Sequence, residues 1–335
     1  MKRRDHDQDL APVRDLLAGL PIELRNVRPV SPPNTRAQRA LVEASVAINL
    51  DPLDVDAAFL ARQLVQCTLP HANPGDVPFW RRRNGTLTLG IQAGMDFRTG
   101  TTVGYPYGSI PRLLLFWLNR EAVQTRSRRI QLGRSLAHFM RDLGLDPSRG
   151  GKRSDAFRLK DQMKRLFRAR ISFDQALAEN GREGERWLDM QVAPKGELWW
   201  DDNKPLQDDL WESWIELGEE FYTAIIASPV PVDMRALKAL KRSPLALDLY
   251  AWATHKAPSV ARKGKQQFIP WASLSEQFGT DYADHLDFKK KAKAALRKVK
   301  LVYPGLRYAE ATGGVLILPT SLPAVPMKPR ALPKG

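Results

Sequence analysis

Apolar positions along this chain come in blocks whose spacing shifts between helical and alternating. Over Thr35 to Asn49, Leu41, Val42, Val46 and Ile48 predict a first helix. Asp54 to Cys67 predicts a second, with Asp54 as its cap and Leu60, Leu64 and Val65 facing inward. Pro70 and Pro74 close that unit, and Thr86 to Ile91 alternates strictly, as a strand does. From about residue 105 one order of blocks runs twice. An apolar helix covers Ile110–Leu118 and, later, Pro244–Trp252. A short β-prone segment follows each, Arg129–Leu132 and Gln267–Pro270. Helix starts come next, at Ser135–Met140 and Ser273–Gly279. Each half then carries a strongly basic helix, 155–170 and 286–300, and closes with a β-rich tail, roughly 171–226 and 301–318.

Helix, strand, helix, turn, helix, strands is the order of a winged helix-turn-helix, and a repeated order sets the architecture. The halves match in the order of their elements rather than in sequence. The expected fold is α+β, with two tandem winged helix-turn-helix domains at 101–228 and 229–320. A small, mostly helical N-terminal region with a β-hairpin, 35–100, precedes them. Residues 1–34 are polar, hold five prolines and predict a flexible arm. Residues 319–335 hold five more, with Lys328, Arg330 and Lys334, and predict a disordered tail from 321 onward.

The first basic helix places Ala156, Leu159, Met163, Leu166 and Phe167 on one stripe and Arg158, Lys164, Arg165 and Arg168 opposite it. A Gly-rich basic loop with Arg149, Lys152 and Arg153 precedes it and suits a phosphate at the helix N-terminus. The second buries Phe288, Ala292, Ala295, Leu296 and Val299 and turns Lys290, Lys293, Arg297 and Lys298 outward, with Lys289, Lys291 and Lys300 on the flanks. Seven cations and no acid lie between 289 and 300. A solvated helix face ordinarily mixes its signs, because opposite charges four residues apart stabilise it and like charges oppose it. These faces are nearly single-signed, and each helix sits where a recognition helix sits.

Composition sharpens the reading. The 335 residues suit about two domains, and 43% apolar content is enough for real cores. The net charge is +15, which favours a polyanionic partner, nucleic acid or an anionic membrane surface. The charge is also segregated: residues 109–170 hold 16 Lys/Arg against 5 acids, and residues 182–222 hold 12 acids against 4 bases. The outward faces of the basic helices carry no aromatic residue other than Phe157, which favours duplex DNA over single strands or RNA. Arg can read guanine bidentately while Lys mostly holds phosphate, so the first helix is expected to read bases and the second to anchor. Arg262, Lys263 and Lys265 join Arg149, Lys152 and Arg153 as expected backbone clamps, and Lys195 as a wing contact. Two reading heads one helical turn apart would span on the order of 20 bp of directly repeated site.

Other chemistry is weakly supported. A single cysteine, Cys67, gives no disulfide framework, and Cys67 with His71 is a lone pair of ligand types. The five histidines lack the His-x-His pair of a nickase, and His138 is expected to pack in an apolar helix. Gly150-Gly151-Lys152-Arg153 fails the Walker pattern, with Asp146 at the first Gly position and Arg153 replacing Ser/Thr. No catalytic residue, metal site or cofactor is expected. No apolar run is long enough for a membrane span, and Met1–His6 leads into no secretory h-region, so a cytoplasmic protein is expected. Trp187, Trp199, Trp200, Trp211 and Trp214 read as core and wing packing, with a dimer or partner surface as the alternative. Met190–Val192, Glu197–Trp200 and Trp214–Leu217 would be the wing strands and Lys195-Gly196 the turn. Asp201, Asp202, Asp208 and Asp209 would repel phosphate and point away from DNA.

Three stretches resemble the plasmid-encoded RepA replication initiators. They are Gly104–Leu115 (GYPYGSIPRLLL), Leu132–Leu136 with Phe139-Met140, and Pro231–Lys241 running into Ser243–Trp252. The resemblance covers about 85 to 320. It implies binding to repeated origin sites, help in opening the duplex, and recruitment of host initiator proteins and the replicative helicase. Many such initiators repress their own gene. The rival expectation is a DNA-binding transcriptional regulator without a replication role; a membrane-surface or RNA-binding protein is weaker.

Overall fold

The computed structural model describes residues 35–148, 150–151, 153–199, 213–279 and 282–326. The expected arm 1–34, the tail beyond 326 and the acidic loop with Asp201, Asp202, Asp208 and Asp209 lie outside the described residues, as do Trp200 and Trp211. In chain order, α1 (Arg36–Leu50), β1 (Ala57–Ala61), α2 (Arg62–Gln66), β2 (Trp80–Asn84) and β3 (Leu87–Gln92) lead to a small hairpin, β4 (Gly94–Asp96) and β5 (Thr101–Gly104). Then come α3 (Ser109–Thr125), β6 (Arg129–Gln131), α4 (Leu136–Asp142) and α5 (Asp155–Arg168). A long hairpin, β7 (Arg170–Glu179) and β8 (Arg182–Gln191), precedes β9 (Lys195–Glu197), β10 (Trp214–Glu216) and α6 (Glu219–Ala227). The last part runs β11 (Pro229–Asp233), α7 (Met234–Leu240), α8 (Pro244–Lys263), β12 (Gln267–Pro270), α9 (Trp271–Phe278), α10 (His285–Val302), β13 (Tyr308–Ala311) and β14 (Gly314–Ile317).

The fold is mixed α+β with several small antiparallel sheets. Two of them share one strand order. In β6-β10-β9 and in β12-β14-β13, the strand before the helix pair lies at one edge and the last strand lies in the middle. A four-stranded sheet, β2-β3-β7-β8, takes its last two strands from the chain between α5 and β9. No helix among the described residues is long and apolar enough to cross a membrane.

Several local expectations change. Residues 54–67 form a strand and one helical turn, not a helix, and Asp54 caps nothing: its N–H donates to the Asp51 carboxylate. The reason is non-local, because β1 pairs along its length with β11. Leu60, Leu64 and Val65 are nonetheless buried. On α1 the buried positions are Ser45 and Ile48, while Val42 and Val46 are exposed. The Ser45 hydroxyl donates to the Leu301 carbonyl, which turns that face toward α10. Met190 belongs to β8, and Lys195-Gly196 is strand rather than turn, paired to Ile215 and Glu216. The β7–β8 hairpin turns at Asn180 (φ 52°) and Gly181 (φ 74°), the left-handed pair of a tight hairpin. His138 is exposed, its ring 3.6 Å from the Asp142 carboxylate. The start of the expected tail is held: Ser321 is buried, and the Leu322 N–H and C=O bond the Gly305 carbonyl and the Tyr303 hydroxyl.

The core centres on α3 and α8, each apolar around most of its circumference and so enclosed on most sides. Between them sits one buried charge cluster. Arg112 on α3 donates from Nε and Nη2 to Asp248 on α8, at 2.7 and 2.9 Å. Its other N–H groups reach the carbonyls of Leu69, Pro70 and Gly108 at 2.6, 3.0 and 2.7 Å, so all the donors of the guanidinium are used. His71 Nε2 lies 2.7 Å from the same carboxylate, and the Tyr282 hydroxyl 3.3 Å from His71 Nδ1. Burial and the Arg112 charge, opposed by Asp248, push the His71 pKa down to about 4. Burial alone would raise Asp248; the Arg112 charge and the bonds from His71 and Arg112 hold it well below the usual carboxylate range. A neutral His71 donating from Nε2 therefore accepts from Tyr282 at Nδ1.

Two outcomes follow. Asp248→Ala leaves a buried guanidinium without its counter-charge and should cost about 3–5 kcal/mol in a urea titration. His71 resists in the folded state a proton that the unfolded chain takes up at its ordinary pKa. Its share of stability is therefore full above pH 6.5 and lost as pH falls toward about 4. Unfolding curves for the native chain and for His71→Asn, recorded across that window, should show the slope flattened in the variant.

Candidate nucleic-acid interface

Ser154 caps α5 by accepting from the Phe157 N–H at 3.1 Å, and Leu159, Gln162, Met163, Leu166 and Phe167 form its buried side. Phe157, Arg158, Lys164 and Arg168 are exposed. Arg158 pairs with Asp155 at 3.4 Å, a surface contact of little worth. Arg165 departs from expectation. It is only 18% exposed, donates to Asp161 at 2.8 Å and to the Tyr105 carbonyl at 3.4 Å, and lies over the Tyr107 ring. It holds the Gly104–Gly108 stretch rather than facing outward. Gln162 does the same from the buried side, accepting from the Tyr107 N–H at 2.9 Å. Arg168 is exposed but anchored, its Nη1 donating to the Met95 carbonyl at 2.9 Å.

The β4–β5 hairpin is therefore seated on α5. Both of its roots are glycines for steric reasons. A Cβ on Gly94 would lie 2.3 Å from the Arg168 carbonyl oxygen. Gly104 has φ +80°, and a Cβ there would meet Arg165. Between the hairpin, the C-terminal half of α5 and the β8–β9 segment lies a cleft of about 720 Å³. Arg98, Lys164, Arg168 and Lys195 line it, against the single acid Asp96. Lys195 also reaches Glu216 at 3.5 Å. Three of the expected contact residues thus share one cleft. The hairpin itself was not foreseen; the Gly94 and Gly104 bracketing Arg98-Thr99-Gly100 was its signal in sequence. Arg153 is exposed just ahead of α5; Arg149 and Lys152 lie outside the described residues.

Asp284 caps α10 through the Asp287 N–H at 2.7 Å, and Phe288, Ala292, Ala295, Leu296 and Val299 are buried as the spacing requires. Lys290 and Lys298 are exposed and Lys289 half-buried. Lys293 and Arg297 are not free cations: Glu310 on β13 reaches them at 2.5 and 3.7 Å. The helix has no acid of its own beyond Asp287, so this partner came from the fold. Lys291 pairs with Asp287 at 2.8 Å, and Lys300 ties the turn ahead of β13 through the carbonyls of Pro304 and Leu306. Arg262 and Lys263 are exposed in the last turn of α8, where cations complement the helix dipole, and Lys265 is exposed beyond its Gly264 cap. Trp187 and Trp199 are exposed, and Trp214 is half-buried beneath the Arg129 guanidinium, 3.9 Å from its ring centre.

The family described as plasmid encoded RepA protein matches residues 105–273, half of the chain, and the chain belongs to this replication-initiation family. The match opens at Tyr105, in the stretch that Arg165, Gln162 and Arg112 hold. No curated protein matches the chain in sequence. Among solved structures, a crystal structure of RctB domains 2–3 is 12% identical, with a TM-score of 0.43 over 74% of this chain and 92% of that one. A selenomethionine derivative of domains 2 and 3 of RctB is 11% identical, with a TM-score of 0.45 over 74% and 93%.

Gly94→Ala should unseat the hairpin, because backbone rather than a flexible side chain opposes the added methyl. The expected cost is about 1–3 kcal/mol. Faster amide exchange over Met95–Thr102 in the variant, with β12–β14 unchanged, checks it.

Proposed function

We propose that this chain initiates plasmid replication by non-catalytic, sequence-specific binding of duplex DNA at repeated origin sites. It does so through two tandem winged helix-turn-helix units, near 101–228 and 229–320. The observation that carries the reading is the shared strand order of the two three-stranded sheets, each attached to an exposed basic helix. In a winged helix the middle strand is the last, and the helix before the wing enters the major groove. The first head would use Arg158 and Lys164, with Arg168 and Lys195 along the cleft. The second would use Lys290 and Lys298, with Lys293 and Arg297 shared between Glu310 and phosphate. Arg153, Arg262, Lys263, Lys265 and Lys289 would clamp the backbone, as would Arg149 and Lys152. In this reading the chain would also help open the origin and recruit host initiator proteins and helicase, which its membership of the family supports.

A footprint on DNA flanking the chain's gene tests this. Protection over several direct repeats of about 20 bp at near-physiological salt supports it. Protection of one isolated site would make the chain a transcriptional regulator, and boundless coverage that vanishes with salt would remove the basis for both.

The heads should also separate by mutation. Arg158→Ala should cost about 1–3 kcal/mol on the cognate site and relax preference there. Lys290→Ala combined with Lys298→Ala should weaken all duplexes alike and lower the slope of log K against log salt by about 2. Competition titrations at several salt concentrations give both values.

A further inference from the structure

The most exposed large apolar side chain in the described residues is Phe97, 88% exposed at the tip of the β4–β5 hairpin. Its place rather than its exposure is informative: it lines the cationic cleft together with Arg98, Lys164, Arg168 and Lys195. Arg98 beside it is 82% exposed, and Met95 on the same hairpin is 40% exposed. The tip is ordered by its own bonds. Asp96 accepts from the Arg98 N–H at 3.1 Å and pairs with the Arg98 guanidinium at 3.3 Å. The Asp96 carbonyl accepts from Thr99 and Gly100, and the Thr99 and Thr101 hydroxyls lie 2.7 Å apart. The base is fixed on α5 by Gly94, Gly104 and the bond from Arg168 to Met95. The backbone that carries the ring is thus held in a set position relative to the basic helix, at the edge of the cationic cleft.

We infer that the β4–β5 hairpin is a DNA-distorting wedge, with Phe97 inserting at a base step in the minor groove next to the site read by α5. The inference rests on the duplex-binding reading above. An apolar ring carried into the minor groove unstacks a base step and kinks the duplex toward the major groove. Arg98 suits the same groove, whose negative potential is strongest where it is narrow, in A·T-rich sequence. On binding, phosphate and base edges would replace the Asp96 carboxylate as the partner of the Arg98 guanidinium. The stacking energy spent at the step is recovered as extra contact along the bent duplex, so removing the ring should alter DNA geometry more than affinity.

The test is permanganate oxidation of thymines, which reports unstacking, on duplex DNA flanking the chain's gene, read beside the footprint. The native chain should make one or a few thymines reactive at an edge of each protected repeat. Phe97→Ala should keep the footprint, with affinity reduced by less than about ten-fold, and lose the reactive thymines. Phe97→Trp should restore them. A native footprint without reactive thymines, or reactivity that survives Phe97→Ala, overturns the wedge and leaves the duplex-binding reading intact. No footprint from the native chain overturns the duplex-binding reading and the wedge with it.

Discussion

A guanidinium taken out of water needs an opposing charge and an acceptor for every N–H. Arg112 meets both needs at the junction of the two halves. The carboxylate comes from α8, the carbonyls come from the Leu69–Pro70 segment and the start of α3, and His71 and Tyr282 close the cluster. Tyr282 then packs edge-on against Phe288 in the first turn of α10, with ring centres 5.5 Å apart. On the other side, the stretch leading into Arg112 is held by Gln162 and Arg165 of α5. One buried charge pair therefore relates both basic helices to a common frame. Such a pair adds little net stability over an apolar substitute, yet breaking it is costly, so its main effect is on geometry.

The charges at the surface are less independent than their number suggests. Arg165 spends its bonds on Asp161 and the Tyr105 carbonyl, Arg168 bonds Met95 of the hairpin beside α5, and Glu310 shares Lys293 and Arg297. Under the proposed reading, what remains to meet phosphate is a smaller set: Lys164 and Arg158, the latter tied only to Asp155 at the surface, on one helix, and Lys290 and Lys298 on the other. This would give each proposed head a built structure around a few exposed cations. It also limits purely electrostatic, sequence-blind attraction, which grows with every phosphate neutralised.

The order of elements was legible from spacing, because α3, α5, α8 and α10 bury stripes whose period is set by local sequence alone. Their residues, from Leu159 and Met163 to Ala292 and Val299, pack where the pattern puts them. What local sequence does not contain is the partner. β1 is a strand because β11 lies beside it, and residues 54–67 by themselves carry a helical pattern. Glu310 pairs with two cations of a helix whose outward face looks wholly cationic in sequence, and Arg165 turns inward because Tyr105 and Tyr107 arrive from about 60 residues earlier. Two hairpins had local signals, Asn180-Gly181 and the Gly94–Gly104 bracket, that charge and wing spacing overshadowed.

If α5 and α10 are the reading helices proposed above, the buried Arg112–Asp248 pair should make them one rigid unit. Affinity measured on a series of DNA sites whose two protected halves are separated by inserts of one to ten base pairs tests it most directly. A rigid junction predicts tight binding at a single spacing and a fall toward one-head affinity at every other. Affinity that stays level across the series, or that recovers at each spacing, would mean that the halves move independently and that the buried pair does not set the geometry of reading.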